Sequence, residues 1–433
     1  MKRFFLLLLL LGCLLLETTL AQNPQGSQNA QSPQGRLAFI DDDGQLATIA
    51  ADGSALRTLT AGDTEIFQFP AWSPLDDRIA VIGASRDGGT LYITEDRESE
   101  AGGERGLEPL YVGGQQAPFY LYWSPDGSII SFLANHPEAS IALHLADVTA
   151  GSSRIHAFGS PFYWQWSADA QDMFVHTGLV GDSAKLTFLG IEADGADALA
   201  STDNLAAPGL FRAPALSANG AYLAYATRNP SGVSQVIIQN HPNNDATVNR
   251  ELNHEGLSAF AWNPSRDLLA LTSPEITAPH SFGPLRLIDA ATGELETLTD
   301  DTVLAFFWSP DGQYLAYLTP VRARGDGIAS TDGTFYAQTS YAQTSTILFD
   351  VLVVDMDTLE SSYLYSFTPT QVFVGQFLPF FDQYALSHRI WSPTSDALAL
   401  SVVEDGRTHV AVVPLEGSPQ LIAEGTMPFW RHY

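Results

Sequence analysis

Trp123-Ser124-Pro125-Asp126-Gly127-Ser128-Ile129-Ile130-Ser131-Phe132-Leu133-Ala134 joins an aromatic residue, a tight turn and an apolar run. Ser124 to Gly127 has the residues of a type I turn: Ser at the first position, Pro fixing φ at the second, Gly at the fourth. The run after it is apolar on both faces, as a strand sandwiched between two layers must be. The same unit returns along the chain. It starts at Trp72 (WSPLDDRIAVIG), Trp166 (WSADAQDMFVHT), Leu216 (LSANGAYLAYAT), Trp262 (WNPSRDLLALTS), Trp308 (WSPDGQYLAYLT) and Trp391 (WSPTSDALALSV). Most intervals between these anchors fall between 43 and 51 residues, enough for four short strands and their turns.

Each unit also carries a hairpin further on. Ala51-Asp52-Gly53 separates QLATIA from ALRTLT, Ala291-Thr292-Gly293 separates LRLIDA from ELETLT, and Asp357-Thr358 divides two more strand-like runs. The two ends complete one another. From residue 36 the chain reads as strands two to four of a unit without its aromatic strand. It finishes with MPFWRHY, an aromatic strand with nothing after it. Trp430 is therefore assigned as the anchor of the first unit, and pairing of the ends closes a ring and removes its sheet edges. The anchors Trp72, Trp123, Trp166, Leu216, Trp262, Trp308, Trp391 and Trp430 predict an all-β fold, a β-propeller of eight four-stranded blades. Seven blades is the alternative if the degenerate Leu216 unit is misread. Only Trp164 among the tryptophans lies off an anchor, so the anchors are expected to pack between blades.

Outside the ring, residues 1–21 read as a signal peptide. Lys2 and Arg3 precede an apolar run from Phe4 to Leu16 that is short for a membrane span, and Thr19-Leu20-Ala21 offers a cleavage site. Leu10-Leu11-Gly12-Cys13 also resembles a lipobox, so a lipoprotein anchored at Cys13 is the alternative, although Leu14-Leu15-Leu16 prolongs the apolar run past the cysteine. Cys13 is the only cysteine, so no disulfide is expected. Residues 22–35, all Gln, Asn, Pro, Gly, Ser and Ala, read as a flexible linker to the propeller at 36–433. With 49 acidic against 20 basic residues the formal charge is −29, which repels nucleic acid and anionic lipid and suits an exported, acidic protein of the periplasm or exterior.

The repeat W-S-P-D-G-x-x-[IL]-A-[FY], with its A-D-G-x-x-x-x-L-T hairpin, resembles the TolB-type propeller repeat, which is also similar to that of the propeller domains of prolyl-oligopeptidase-type peptidases. The resemblance covers about residues 36–433. It implies the fold strongly and a function only weakly, because the repeat residues are structural.

Regularity breaks between Trp308 and Trp391, which are 83 residues apart. The excess forms two insertions. Residues 320–346 are polar and contain a tandem YAQTS and an Arg324-Gly325-Asp326 triplet; residues 369–388 are strongly aromatic. Insertions in a repeat protein map to one face and often carry binding. Phe377, Phe380, Phe381 and Tyr384 are thus the candidate binding surface, with capping of the channel mouth as the plain structural alternative. Asp41-Asp42-Asp43-Gly44 and Asp300-Asp301 could offer oxygens to calcium, but neither matches a full calcium loop.

No catalytic motif is present. There is no G-x-S-x-G elbow, no H-E-x-x-H and no phosphate-binding glycine loop. No cofactor and no metal are assigned. The reading is an exported non-catalytic propeller, a monomer without a transmembrane span, that binds a protein, peptide or glycan partner. The alternative is a propeller hydrolase or lyase with a carboxylate site in the central channel, which sequence spacing would not reveal.

Overall fold

The computed structural model describes residues 33–433 except 63, 98–105, 180–183, 194–197, 200, 201, 211, 243–246, 277 and 322–346. Residues 1–21, read as a signal peptide, Cys13, most of the stretch 22–35 read as a linker, the RGD triplet and the tandem YAQTS lie outside the described residues.

The strands form eight antiparallel sheets, seven contributed by consecutive segments of chain and one by its two ends. The chain is an eight-bladed β-propeller. Numbered from the closing blade, the innermost strands are Thr426–Trp430, Ile66–Trp72, Pro118–Trp123, Phe162–Trp166, Ala215–Leu216, Ala259–Trp262 and Ala305–Trp308 for blades 1 to 7. Every one ends on its anchor residue. Blade 1 is closed by both chain ends: Leu37 pairs with Trp430 and Ala38 with Phe429.

The S-P-D-G turn forms as its chemistry requires. The Gly127 N–H donates to Ser124 O at 2.9 Å, Ser124 Oγ donates to Asp126 Oδ1 at 2.6 Å, and Gly127 has φ of +66°. In blade 4 the equivalent position is Ala170, held at φ +60°, a left-handed conformation that a Cβ disfavours.

Most anchor tryptophans bind their blade to the one before it. Indole N–H groups donate from Trp72 to Phe429 O, Trp123 to Ala71 O, Trp262 to Ala215 O, Trp308 to Ala261 O and Trp391 to Phe307 O, at 2.9–3.2 Å. Each acceptor is the residue just before the preceding anchor, so one bond recurs at five blade junctions, whereas the buried indole N–H of Trp430 has no hydrogen-bond partner among the described residues. Trp166 keeps the link through a hydroxyl: its Nε1 donates to Ser131 Oγ, which donates to Tyr122 O. Where Leu216 replaces the tryptophan, Gln165 reaches across instead. Its amide donates to Leu216 O at 3.1 Å and accepts from Leu216 N at 2.8 Å.

Among the described residues six sheets have four paired strands and two have three. In blade 4 three strands pair, and the outer edge is served by Asn204, whose Oδ1 accepts from Leu186 N. In blade 8 three strands pair and the innermost is reduced to a bridge between Trp391 and Leu398, because helical structure runs to Ser387 and leaves only a short extended stretch.

Candidate functional site

Both insertions leave the same face. Residues 320–346 join the second and third strands of blade 7, Tyr314–Pro320 and Phe349–Asp355; residues 369–388 join its fourth strand, Ser361–Phe367, to blade 8. In an antiparallel blade those two kinds of connection emerge on one side, here called the upper face. Residues 322–346 are outside the described set, so the site is built from the second insertion.

That insertion is a helical plug: a π-helical turn at Phe373–Phe377, a 3₁₀ turn at Leu378–Phe380 and an α-helix at Phe381–Ser387. Tyr384 packs on Phe69 and Tyr120, with ring centroids 5.1 Å away in each case. Phe381 packs edge-on against Phe306 and Phe307 at 5.2 and 5.8 Å. Phe377 stacks on Phe429 at 6.0 Å. These partners lie on the innermost strands of blades 1, 2, 3 and 7, on opposite sides of the ring. The plug therefore lies across the channel.

Gln383 fastens it. The side-chain oxygen accepts from Trp164 N at 3.0 Å, and the amide nitrogen donates to Trp164 O at 2.9 Å and to Tyr120 Oη at 3.0 Å. Tyr120 Oη in turn donates to Gln383 O at 3.0 Å. Gln383 thus treats the inner strand of blade 4 as Gln165 treats that of blade 5. Burial pushes the Tyr120 phenol well above its ordinary value.

Phe377, Phe381 and Tyr384 are buried, whereas Phe380 is 45% exposed. Of the four residues assigned as a binding surface, three are core. The correction has a plain cause: an aromatic run surrounded by the apolar inner strands of the ring gains more from burial than from water. Phe380 is the one that reaches the upper face, edge-on to Tyr163 with centroids 6.4 Å apart.

Beside the plug lies a charged pair that no motif announced. Arg212 is 7% exposed and Asp382 5% exposed, and Arg212 Nη1 stands 3.7 Å from Asp382 Oδ2. The separation is too long for a hydrogen bond. Arg212 Nε and Asp382 Oδ2 have no hydrogen-bond partner among the described residues. Burial raises the Asp382 carboxyl above the usual carboxylate range, with Arg212 opposing it. The signal in the sequence was a charge inside an apolar run: Leu210-Phe211-Arg212-Ala213-Pro214 and Phe380-Phe381-Asp382.

Arg212 also lines a rim pocket of about 360 Å³ on the upper face, with Phe282, Leu304, Phe349, Val374 and Leu378 among its walls. His280 enters the same pocket, its ring stacked on Phe282 with centroids 4.7 Å apart.

Among the described residues no group of three His, Cys, Asp or Glu side chains is arranged to hold a metal ion. In the acidic turn, Asp41 Oδ1 accepts from the backbone of Asp43 and Gln45, at 3.0 and 2.8 Å. Among the described residues no helix is long and apolar enough to cross a membrane.

No family model matches the chain, and no curated protein matches it. Its structure is similar to TolB from Acinetobacter baumannii, with 19% identity and a TM-score of 0.36, covering 61% of this chain and 63% of that one. The match thus spans less than two thirds of that TolB chain. A second similar structure is an oligogalacturonate lyase in complex with manganese, with 12% identity and a TM-score of 0.40 over 89% of this chain and 99% of that one. A third is from a study of two prolyl endopeptidases, with 12% identity and a TM-score of 0.42 over 81% of this chain and 54% of that one. This chain is an eight-bladed propeller similar to TolB and to the propellers of a lyase and a peptidase, at identities that speak for none of their activities.

Proposed function

We propose that the chain is an exported, non-catalytic propeller that binds a partner on its upper face, as a TolB-like scaffold in the periplasm or outside the cell. The observation that carries this reading is the plug. The channel axis, where acids from several blades could converge on a substrate, is occupied by Phe377, Phe381 and Tyr384. The buried acid beside it, Asp382, faces Arg212 rather than a second carboxylate, whereas glycosidic chemistry calls for two acids on either side of a bond. Both insertions open on the same face, and Phe380 is exposed there. The leader-like residues 1–21 support export, and the acidic charge of −29 argues against a nucleic-acid partner.

The test uses residues 22–433 as bait against the envelope and secreted fractions of the source cell, with mass spectrometry of retained proteins. Deleting 369–388 would remove the plug and with it part of the core, so it is not a clean control. The control is Phe380→Ser combined with deletion of 322–346. A partner captured by the parent chain and lost with this variant supports the reading; no captured partner, with turnover in a glycan or peptide substrate screen, refutes it.

A further inference from the structure

We propose that the rim pocket is a binding site for a small apolar monocarboxylate, its carboxylate on Arg212 and its body against Phe282, Leu304, Phe349 and Leu378. The inference deepens the reading of the upper face as the binding face and rests on it.

A buried charge is costly unless it is both paired and hydrogen-bonded. Arg212 meets the first condition loosely, through Asp382 at 3.7 Å, and its Nε has no hydrogen-bond partner among the described residues. Asp382 offsets its charge without satisfying its donors. A guanidinium carries five N–H donors in a planar fork that matches the two oxygens of a carboxylate. The residue lines a pocket of about 360 Å³, within the range of roughly 300–1,000 Å³ usual for small-molecule sites. The remaining walls are mainly apolar, so the body of the ligand is apolar too. Arg212 is the only Lys or Arg among the lining residues, which favours one carboxylate over two.

The pocket is also placed to report binding to the plug. Val374 and Leu378 belong to the plug and line the pocket, and Asp382 opens the next helix of the same segment. A ligand seated on Arg212 therefore touches the segment that closes the channel.

The test is isothermal titration of residues 22–433 with 4-phenylbutyrate and, separately, with 4-phenylbutyramide. The acid is expected to bind at one site and the amide at least tenfold more weakly, the difference set by hydrogen bonds to a charged donor. Arg212→Leu should abolish the preference for the acid. Val374→Trp, which fills the pocket and leaves the ion pair in place, should abolish binding of both. Asp382→Asn removes the competing carboxylate and should tighten the acid alone, an effect that a purely structural role for the pair would not produce. If Arg212→Leu fails to fold by circular dichroism, the other two variants carry the test. Equal binding of acid and amide, no binding of the acid, or binding unchanged by Val374→Trp would each overturn the proposal. So would binding of an apolar peptide with a free C-terminus in place of the acid. A captured protein partner without acid binding refutes the pocket assignment and leaves the binding-propeller reading standing; acid binding with no captured partner and no substrate turnover supports the pocket and identifies a small acid as the upper face's ligand.

Discussion

Acid should loosen the plug through His388. This residue follows the plug helix and is 1% exposed. Its ring lies against Phe429, Tyr384 and Phe69, with centroids 4.7, 5.4 and 6.0 Å away. Nδ1 is 2.6 Å from Ser387 Oγ. Burial pushes its pKa down to about 3, whereas in the unfolded chain it returns to about 6.5. Between those values the unfolded chain binds the extra proton. The stability that neutral His388 contributes is thus fully present above about pH 6.5 and is lost as pH falls towards 3. With about 1.4 kcal/mol per pKa unit, the loss on going from about pH 7.5 to about pH 5.5 is about 1.4 kcal/mol. His388→Phe keeps an aromatic ring in the slot and removes the proton site. Urea unfolding followed by tryptophan fluorescence at the two pH values should show the parent losing about 1.4 kcal/mol more than the variant. Buried groups with no coupling to His388, such as His176 with its pKa lowered to about 4, are common to both chains and cancel; His432, whose pKa His388 helps to lower, is replaced by Phe in both chains so that it does not contribute. Parallel stability curves for the two chains would refute the assignment of His388 as a buried neutral histidine.

Three further outcomes follow from the packing. Phe381→Ala, which empties the slot between Phe306 and Phe307, should lower stability by about 3–5 kcal/mol in the same urea assay. Asp96 is buried and accepts from Arg36 Nε at 2.6 Å, Arg57 Nη1 at 3.0 Å and Thr48 Oγ1 at 2.8 Å. Asp96→Ala strands this cluster between blades 1 and 2 and should cost about 3–5 kcal/mol, and Asp96→Asn less. Ala170→Gly, at φ +60° in the blade 4 turn, should raise stability by about 1 kcal/mol, read as an upward shift of the thermal midpoint.

Much of the ring was legible before any coordinates. The eight anchors, the turns and the complementary ends belong to local chemistry: a Ser-Pro-Asp-Gly turn, a left-handed glycine and a doubly apolar strand need only a dozen neighbouring residues to be recognised. Ring closure followed because a chain that starts on strand two and ends on strand one has one way to satisfy both edges. The substitutes for a missing tryptophan bond were not legible. Nothing in the spacing says that Gln165 meets the backbone of the neighbouring blade, that Ser131 meets the indole of Trp166 on the next blade, or that Gln383 meets a backbone across the channel.

The candidate site divides along the same line. The repeat, the closure and the two places where extra chain is inserted were readable from sequence, because each depends on contacts within one blade or between chain ends; the choice of eight blades over seven came with the sheets themselves. Only the tertiary structure decided what the aromatic insertion does. The same residues would make a sticky surface if they faced water and a plug if they faced the channel. The direction is set by Phe69, Tyr120, Phe306 and Phe429, which come from four blades far apart in sequence. Arg212 and Asp382 are 170 positions apart, and their loose pairing beside an apolar pocket exists only because the ring brings the connection into blade 5 against the connection into blade 8. Desolvation, which gives that pair its chemical interest, is a property of the folded surroundings and of no residue alone.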